Sequence, residues 1–497
     1  VNRQSKSKNN GITAIRYVLA ICAAALFAAM VGRPARAQDA NQNQNARQLL
    51  DLNTITGQNP FENLTGDIKT VCAGLSAGSG AHAASSQLQT DCDTLIGAAI
   101  GNPDDPNVAN AVEQIANDEL ASQGTVGVEN SQAQARNVAA RIAQVKTGVS
   151  APRLTLADFG LTGLAPRTFS LSLDAVGDNE IGAGFSRASL YVNGSYYSGD
   201  QDPNAFEKGI GWDSYSLTAG MDYRFTDDFF AGFSAGYNST DGDFDRNGGK
   251  QQSDNVTFTV YGSYYTQNGF YLDGSLGYGR TDYDTDRNVI YQIPGADVSQ
   301  TARSSTDGDE VSGSLAAGFN IQRGASTFTP HARLDYQKIS VDGYDEVMCT
   351  RASGKCRTPA DTQFVPGWGW ALAMGDQDIK SLRGTLGASW QMAMNRDWGV
   401  FLPNASVDFV HEFRDDPRSV AFCFVDDALC PGSAGVASSA DPFVIRTAAP
   451  DQDFFMLAAG FVAQFPGGKA AFVNVQHMAG NRDVKQTGVV AGLRFEF

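Results

Sequence analysis

The chain has 497 residues, 53 of them Gly, 29 Phe and 16 Tyr, with 37 basic against 54 acidic residues and a net charge of −17. That balance argues against nucleic acid as a partner, which wants a basic stripe. Mean hydropathy is −0.25. Beyond the first forty residues no apolar run approaches the ~20 residues that a membrane-spanning helix needs.

Residues 1–37 read as a secretory signal. Arg3, Lys6, Lys8 and Arg16 give a basic start, Val18–Val31 an apolar core, and Ala35-Arg36-Ala37 the small residues before cleavage at Gln38. Of the seven Cys, Cys22 falls inside that core. The other six make three local pairs, Cys72 with Cys92, Cys349 with Cys356 and Cys423 with Cys430. Outside the cytoplasm the default reading is three disulfides. Metal binding is the alternative, but neither C-x6-C has a His nearby, and zinc sites favour tighter spacing.

Residues 38–150 are rich in Ala, Asn and Gln, with Phe61 the only aromatic residue. The weak pattern is helical: Val108, Val112, Ile115 and Glu119 follow three- and four-residue steps, as do Val138, Ile142 and Val145. Pro103 and Pro106 mark a break before the first run. So few large apolar residues do not build a big core. Gly74-Leu75-Ser76-Ala77-Gly78 matches G-x-S-x-G, but that motif needs a parallel βαβ sheet around it. A flexible small-residue stretch explains it better than catalysis, and the chain reads as a non-enzyme. Residues 151–188 are an irregular link.

From about Ser189 the period is two. Strands are expected near 189–197, 210–225, 229–244, 253–266, 270–286, 308–323, 327–340, 378–393, 398–413, 451–465, 469–479 and 485–497. Twelve is an even number, as a closed antiparallel membrane barrel requires. Tight turns such as Thr226-Asp227-Asp228 and Gln267-Asn268-Gly269 alternate with polar loops, two of them 341–377 and 414–450. Short turns belong to the periplasmic rim and long loops to the outside. Phe225, Phe229, Phe270, Tyr271, Trp398 and Phe465 bracket the turns, where an interfacial girdle belongs. The last strand puts Val489, Ala491, Leu493, Phe495 and Phe497 on one face and Gly488, Gly492, Arg494 and Glu496 on the other.

Other chemistry is weak. Asp241, Asp243 and Asp245 start like a calcium loop, but Arg246 and Gln252 break the pattern; alternating Asp on a lumen face is the simpler reading. His82, His331, His411 and His477 are scattered. His411 and Glu412, being adjacent, point to opposite faces of a strand. Phe364–Met374, with Trp368 and Trp370, is an apolar run in an outer loop. It folds over the mouth, extends a strand, or forms a ligand patch. No cofactor or metal site is expected.

The fold class is therefore an all-β transmembrane barrel of 12 antiparallel strands behind a short, mainly helical segment. Residues from about 189 to 497 resemble the autotransporter β-domain, the translocator of type V secretion. The resemblance rests on YVNGSYYSGDQD (191–202), LTAGMDYRFTDDFFAGFSAGYNSTDGDFD (217–245), YGSYYTQNGFYLDGSLGYGRTDYDTDR (261–287), FTPHARLDYQKIS (328–340), SLRGTLGASWQM (381–392), FVHEF (409–413) and the final GLRFEF. RNVAARIAQVKTG at 136–148 is similar to the segment before such barrels. The resemblance implies a helix in the lumen and export of the chain's own N-terminal portion. It also implies an outer-membrane location, with lipid and lipopolysaccharide around a monomeric barrel. Periplasmic chaperones and the barrel-assembly machinery would be its partners. Val489, Ala491, Leu493, Phe495 and Phe497 resemble the C-terminal signal that this machinery reads. The short, Ala/Gln-rich passenger departs from the family's long ones. A surface adhesin or structural barrel acting through its disulfide-bearing loops, and a passive pore, are the alternative readings.

Overall fold

The computed structural model describes residues 71–72, 86–102, 105–115, 119–150 and 188–496, the last with short interruptions at 205, 439–442 and 467. The signal stretch, the G-x-S-x-G motif, His82, all of the expected 151–188 link but Ala188, which begins the first strand, and Phe497 lie outside the described residues.

Three helices come first: α1 (Ser86–Gly101), α2 (Pro106–Ile115) and α3 (Glu119–Ser150). Pro106 opens α2, where its missing N–H costs nothing. The Asp105 carboxylate before it accepts the Asn107 N–H at 2.9 Å. The run of Val108 to Glu119 is two helices rather than one, because α2 ends at Ile115 and Glu119 begins α3.

Twelve barrel strands follow: β1 (Ala188–Gln201), β2 (Ile210–Thr226), β3 (Phe229–Phe244), β4 (Gly249–Tyr265), β5 (Phe270–Ile293), β6 (Ala296–Phe319), β7 (Ser326–Val341), β8 (Gln377–Met392), β9 (Gly399–Glu412), β10 (Asp453–Phe465), β11 (Lys469–Ala479) and β12 (Val484–Glu496). Each pairs antiparallel with its neighbour, and β12 returns to β1 from Ser189↔Glu496 to Gln201↔Val484, so the barrel is closed. Closure removes the sheet edge that lipid could not satisfy. No described helix is long and apolar enough to cross a membrane.

The alternation sorts the faces as a lipid–lumen division demands. Leu217, Phe233, Phe258, Leu276, Leu315 and Leu386 are exposed outward, while Thr218, Ser234, Thr257 and Ser263 are buried inward. At the outer edge of the apolar band three tyrosines repeat one contact. Tyr196, Tyr237 and Tyr278 donate to Asp213, Asp254 and Asp309 at 2.6, 2.6 and 2.7 Å. An aromatic body with a polar tip suits that interface.

Tyr271 is not part of the girdle. It is buried inward, one residue out of phase with Phe270. Asp241 and Asp243 do not face the lumen. They share the outward face with Phe233 and Tyr237 and are exposed; that face has already left the lipid band, so water solvates them. Asp245 follows in a short 3-10 turn.

β5 and β6 run 24 residues each, so residues 287–307, expected as loop, are mostly hairpin. Above the band neither face meets lipid, and the simple alternation stops. The hairpin closes at Gly295, whose φ of 92° suits glycine. The two long loops also carry structure. Tyr344–Asp345, Leu372–Met374, Ser419–Phe424 and Phe443–Arg446 form a separate four-stranded sheet. Together with α1, α2 and the tip of the β5–β6 hairpin, they build a head at the long-loop end.

Candidate functional site

The site is the path that the N-terminal segment takes along the barrel. At the head, α1 buries Leu88, Cys92, Leu95 and Ala99, and α2 buries Val108, Ala111, Val112 and Ile115. These stripes follow helical spacing. They meet Val289, Tyr291 and Val298 of the hairpin, Trp368, Trp370 and Leu372 of one long loop, and Phe422, Phe424 and Phe443 of the other in one apolar cluster. The segment is too poor in large apolar residues for a core of its own, and the barrel's loops supply the missing half. The apolar run at Phe364–Met374 folds into this head. Trp368 and Trp370 lie buried beneath α1, and Leu372–Met374 is a strand; Phe364 stays exposed.

Polar anchors fix the docking. Asp91 Oδ1 accepts the Gly367 N–H and Oδ2 the Gly369 N–H, both at 2.8 Å. Burial raises the Asp91 pKa to about 6, and those two N–H groups pull it partly back. Gln87 donates to Val365 O at 2.7 Å and accepts its N–H at 3.0 Å. Arg287 is fully buried and donates to Glu346 at 2.9 and 2.5 Å, to Gln114 O at 3.0 Å and to Trp370 O at 3.1 Å. It thus ties the end of α2 to the loop. Burial works to lower its pKa, but the Glu346 charge and hydrogen bonds carry it above the ordinary arginine value. Arg246 meets Glu113 at 3.0 Å, and Lys208 meets Glu119 at 2.6 Å.

All three cysteine pairs are disulfides: Cys72–Cys92, Cys349–Cys356 and Cys423–Cys430. The first closes on α1, and the other two lie in the loops that hold it. Among the described residues no cluster of His, Cys, Asp or Glu is arranged to hold a metal.

α3 then runs down the lumen. Glu119 sits at the long-loop end beside Lys208. Arg141 pairs with Asp222, close to the Thr226–Phe229 turn. Val138, Ile142 and Val145 pack on inward Tyr191, Phe230, Tyr261, Tyr265 and Tyr271. Those rings need room on neighbouring strands. A Cβ at Gly220 would come within 2.6 Å of Tyr191, and one at Gly232 within 2.7 Å of Tyr261. Between the rings the contacts are polar. Asn137 donates to Ser216 and Thr218 at 2.9 and 3.0 Å, and its carbonyl accepts from Asn193 at 3.1 Å. Arg141 grips both Asp222 oxygens at 2.6 and 2.8 Å, with its guanidinium 4.8 Å over Tyr191. Higher up, Glu129 bridges Arg136 at 3.1 Å and Arg383 at 2.8 Å.

The terminal strand turns Val489, Ala491, Leu493 and Phe495 outward, with Arg494 buried inward. His411 is half-buried on Asp453 at 2.8 Å, while its neighbour Glu412 turns inward. Arg141, Arg287 and Arg383 lie inside stretches that carry the family resemblance, but no role attached to them there, and Asp91 and Glu129 lie in none. Their signal was weaker: single charges inside Ala-rich helical runs or on the inward parity of strands.

These features define a class, a membrane-spanning barrel with its own chain threaded through the lumen and docked at one mouth. The chain belongs to the autotransporter β-domain family, whose model matches residues 190–354 and 366–476. Its barrel is accordingly an outer-membrane one. Similar solved structures include the translocator domain of the autotransporter NalP from Neisseria meningitidis, 13% identical with TM-score 0.46, covering 74% of this chain and 98% of that one. The β domain of the Bordetella autotransporter BrkA is 18% identical with TM-score 0.40, covering 63% and 100%. The transport unit of AIDA-I from Escherichia coli is 11% identical with TM-score 0.38, covering 63% and 90%. A search of curated proteins gave no match.

Proposed function

We propose that this barrel carries its own N-terminal segment through the outer membrane and keeps it, folded onto its outer loops, as a displayed head. The observation that supports this reading is the single apolar cluster shared by α1, α2, the β5–β6 hairpin and both long loops. A segment meant for release would carry its own core. This one has its core only where the loops are. α3, filling part of the lumen beneath the head, weighs against an open passive pore. Periplasmic chaperones deliver the chain, and the barrel-assembly machinery inserts it by reading the terminal strand at Val489, Ala491, Leu493, Phe495 and Phe497. The barrel works as a monomer among lipid and lipopolysaccharide, with no catalytic role for Ser76.

The test is proteolysis of intact cells carrying an epitope tag after residue 40. Loss of the tag, with α1 and α2 still bound to the barrel, supports the reading. A tag that survives until the outer membrane is opened contradicts export. A freed fragment spanning α1 and α2 contradicts retention.

A further inference from the structure

α3 does not fill the lumen evenly. Its lower contacts fall on β1 to β5, and its opposite face is small: Ala139, Ala140 and Ala143. Between that face and the wall of β5 to β11 lies a cavity of about 380 Å³. Along β8 it reaches from Arg383 to Gln391, roughly 26 Å of strand at ~3.3 Å per residue. Its wall is polar. His331 meets Asp408 at 2.9 Å and Arg333 meets Asp335 at 2.7 Å. The charged stretch of that lining supplies the polar partners that water needs.

A second cavity, of about 260 Å³, begins where the first stops. It lies between the upper end of α3 and the outer ends of β8 and β9, and it reaches exposed Lys380, Arg414 and Asp416. Arg383 lines both spaces. The boundary between them is one cluster of four charged groups. Arg383 holds Glu129 at 2.8 Å and Glu412 at 3.2 Å, and Arg136 holds Glu129 at 3.1 Å. Arg136 faces the lower space, and Glu129 and Glu412 the upper.

We infer that the two cavities are one side passage for water and small cations past the lumen helix, and that the Arg383 cluster is its closed neck. The charge of the upper space sets the sign: seven acidic and four basic residues line it. A cleft lined by one excess sign concentrates the opposite ion. The helix need not leave for the passage to open, because Arg141–Asp222 holds it from another level of the lumen. This inference does not depend on export or retention of the head.

The test is single-channel recording of the purified full chain in planar bilayers under a KCl gradient. Wild type is expected to pass little current. Arg383→Ala should raise unitary conductance by roughly threefold or more, with a reversal potential on the cation side. Arg383→Gln, closer in bulk and without charge, should fall between. Adding Ala140→Trp to Arg383→Ala should return conductance to the wild-type level by filling the lower space. Three results would overturn the passage. The first is an Arg383→Ala conductance equal to wild type. The second is a tryptophan that blocks nothing. The third is a conductance equal to that of a chain lacking residues 119–150, which would mean that the helix had left.

Discussion

Asp91 joins a helix near the start of the chain to a loop 276 residues later through two backbone N–H bonds. Its carboxyl is shifted by burial from the ordinary 3.8 to about 6. Glu207, in the β1–β2 connection, is shifted by burial from 4.5 to about 7. A raised acid pKa means that the folded head takes up protons at a higher pH than the unfolded chain. Stability therefore rises as pH falls through about 7 and then about 6, levels off below the ordinary carboxyl values, and is lost again as pH climbs. A shift of about two units is on the order of 3 kcal/mol. Corrected for the intrinsic pH dependence of amide exchange, protection of the α1 amides should be greater at pH 5 than at pH 8, and Asp91→Asn should flatten the Asp91 part of that difference. Arg287 predicts a second outcome. Arg287→Ala leaves Glu346 buried without its partner and should destabilise the head by about 3–5 kcal/mol. Arg287→Met combined with Glu346→Leu should recover much of that in denaturant titration of the purified chain.

Among the elements, α3 is held by buried charge pairs as well as by apolar packing. Arg141→Ala should loosen its lower half. A cysteine placed at Val138, which is 2% exposed, should then react with a thiol reagent about a hundredfold faster, the equivalent of roughly 3 kcal/mol. An unchanged rate would show that the aromatic cluster alone holds the helix. The elements were legible in the sequence wherever a single rule governed both faces. Between the tight turns and the tyrosine level, lipid on one side and lumen on the other impose the two-residue period, and all twelve strands followed from it. Outside that band the rule lapses. Asp282 faces solvent, while Val289 and Tyr291 turn toward the head, so the upper β5–β6 hairpin read as loop. α1 was not singled out within the helical segment because its apolar stripe mixes Leu with Cys and Ala and its partners are remote in sequence. Trp368 and Trp370 were the available signal, since two tryptophans in a polar loop need a cover. Which helix would cover them was not written in local pattern.

On the scale of the molecule, the head is one apolar cluster made from distant pieces of chain, and it is expected to unfold as a unit. The Cys72–Cys92 bridge closes a loop of 20 residues in it, which by loop-closure entropy is worth about 3 kcal/mol. Replacing both cysteines with Ala should weaken protection of α1 and of the loop strands together, while the barrel below stays heat-resistant on gels. The most direct measurement of the whole account is hydrogen exchange on the purified full chain, wild type against Trp370→Ala. The account predicts that amides of α1, α2, Leu372–Met374 and Ser419–Phe424 are protected alike in wild type. It predicts that loss of the fully buried Trp370 side chain speeds all four together, by an amount in line with about 3–5 kcal/mol. If α1 and α2 exchange like unfolded chain while the loop strands stay protected, the segment is not docked on the barrel and the account fails.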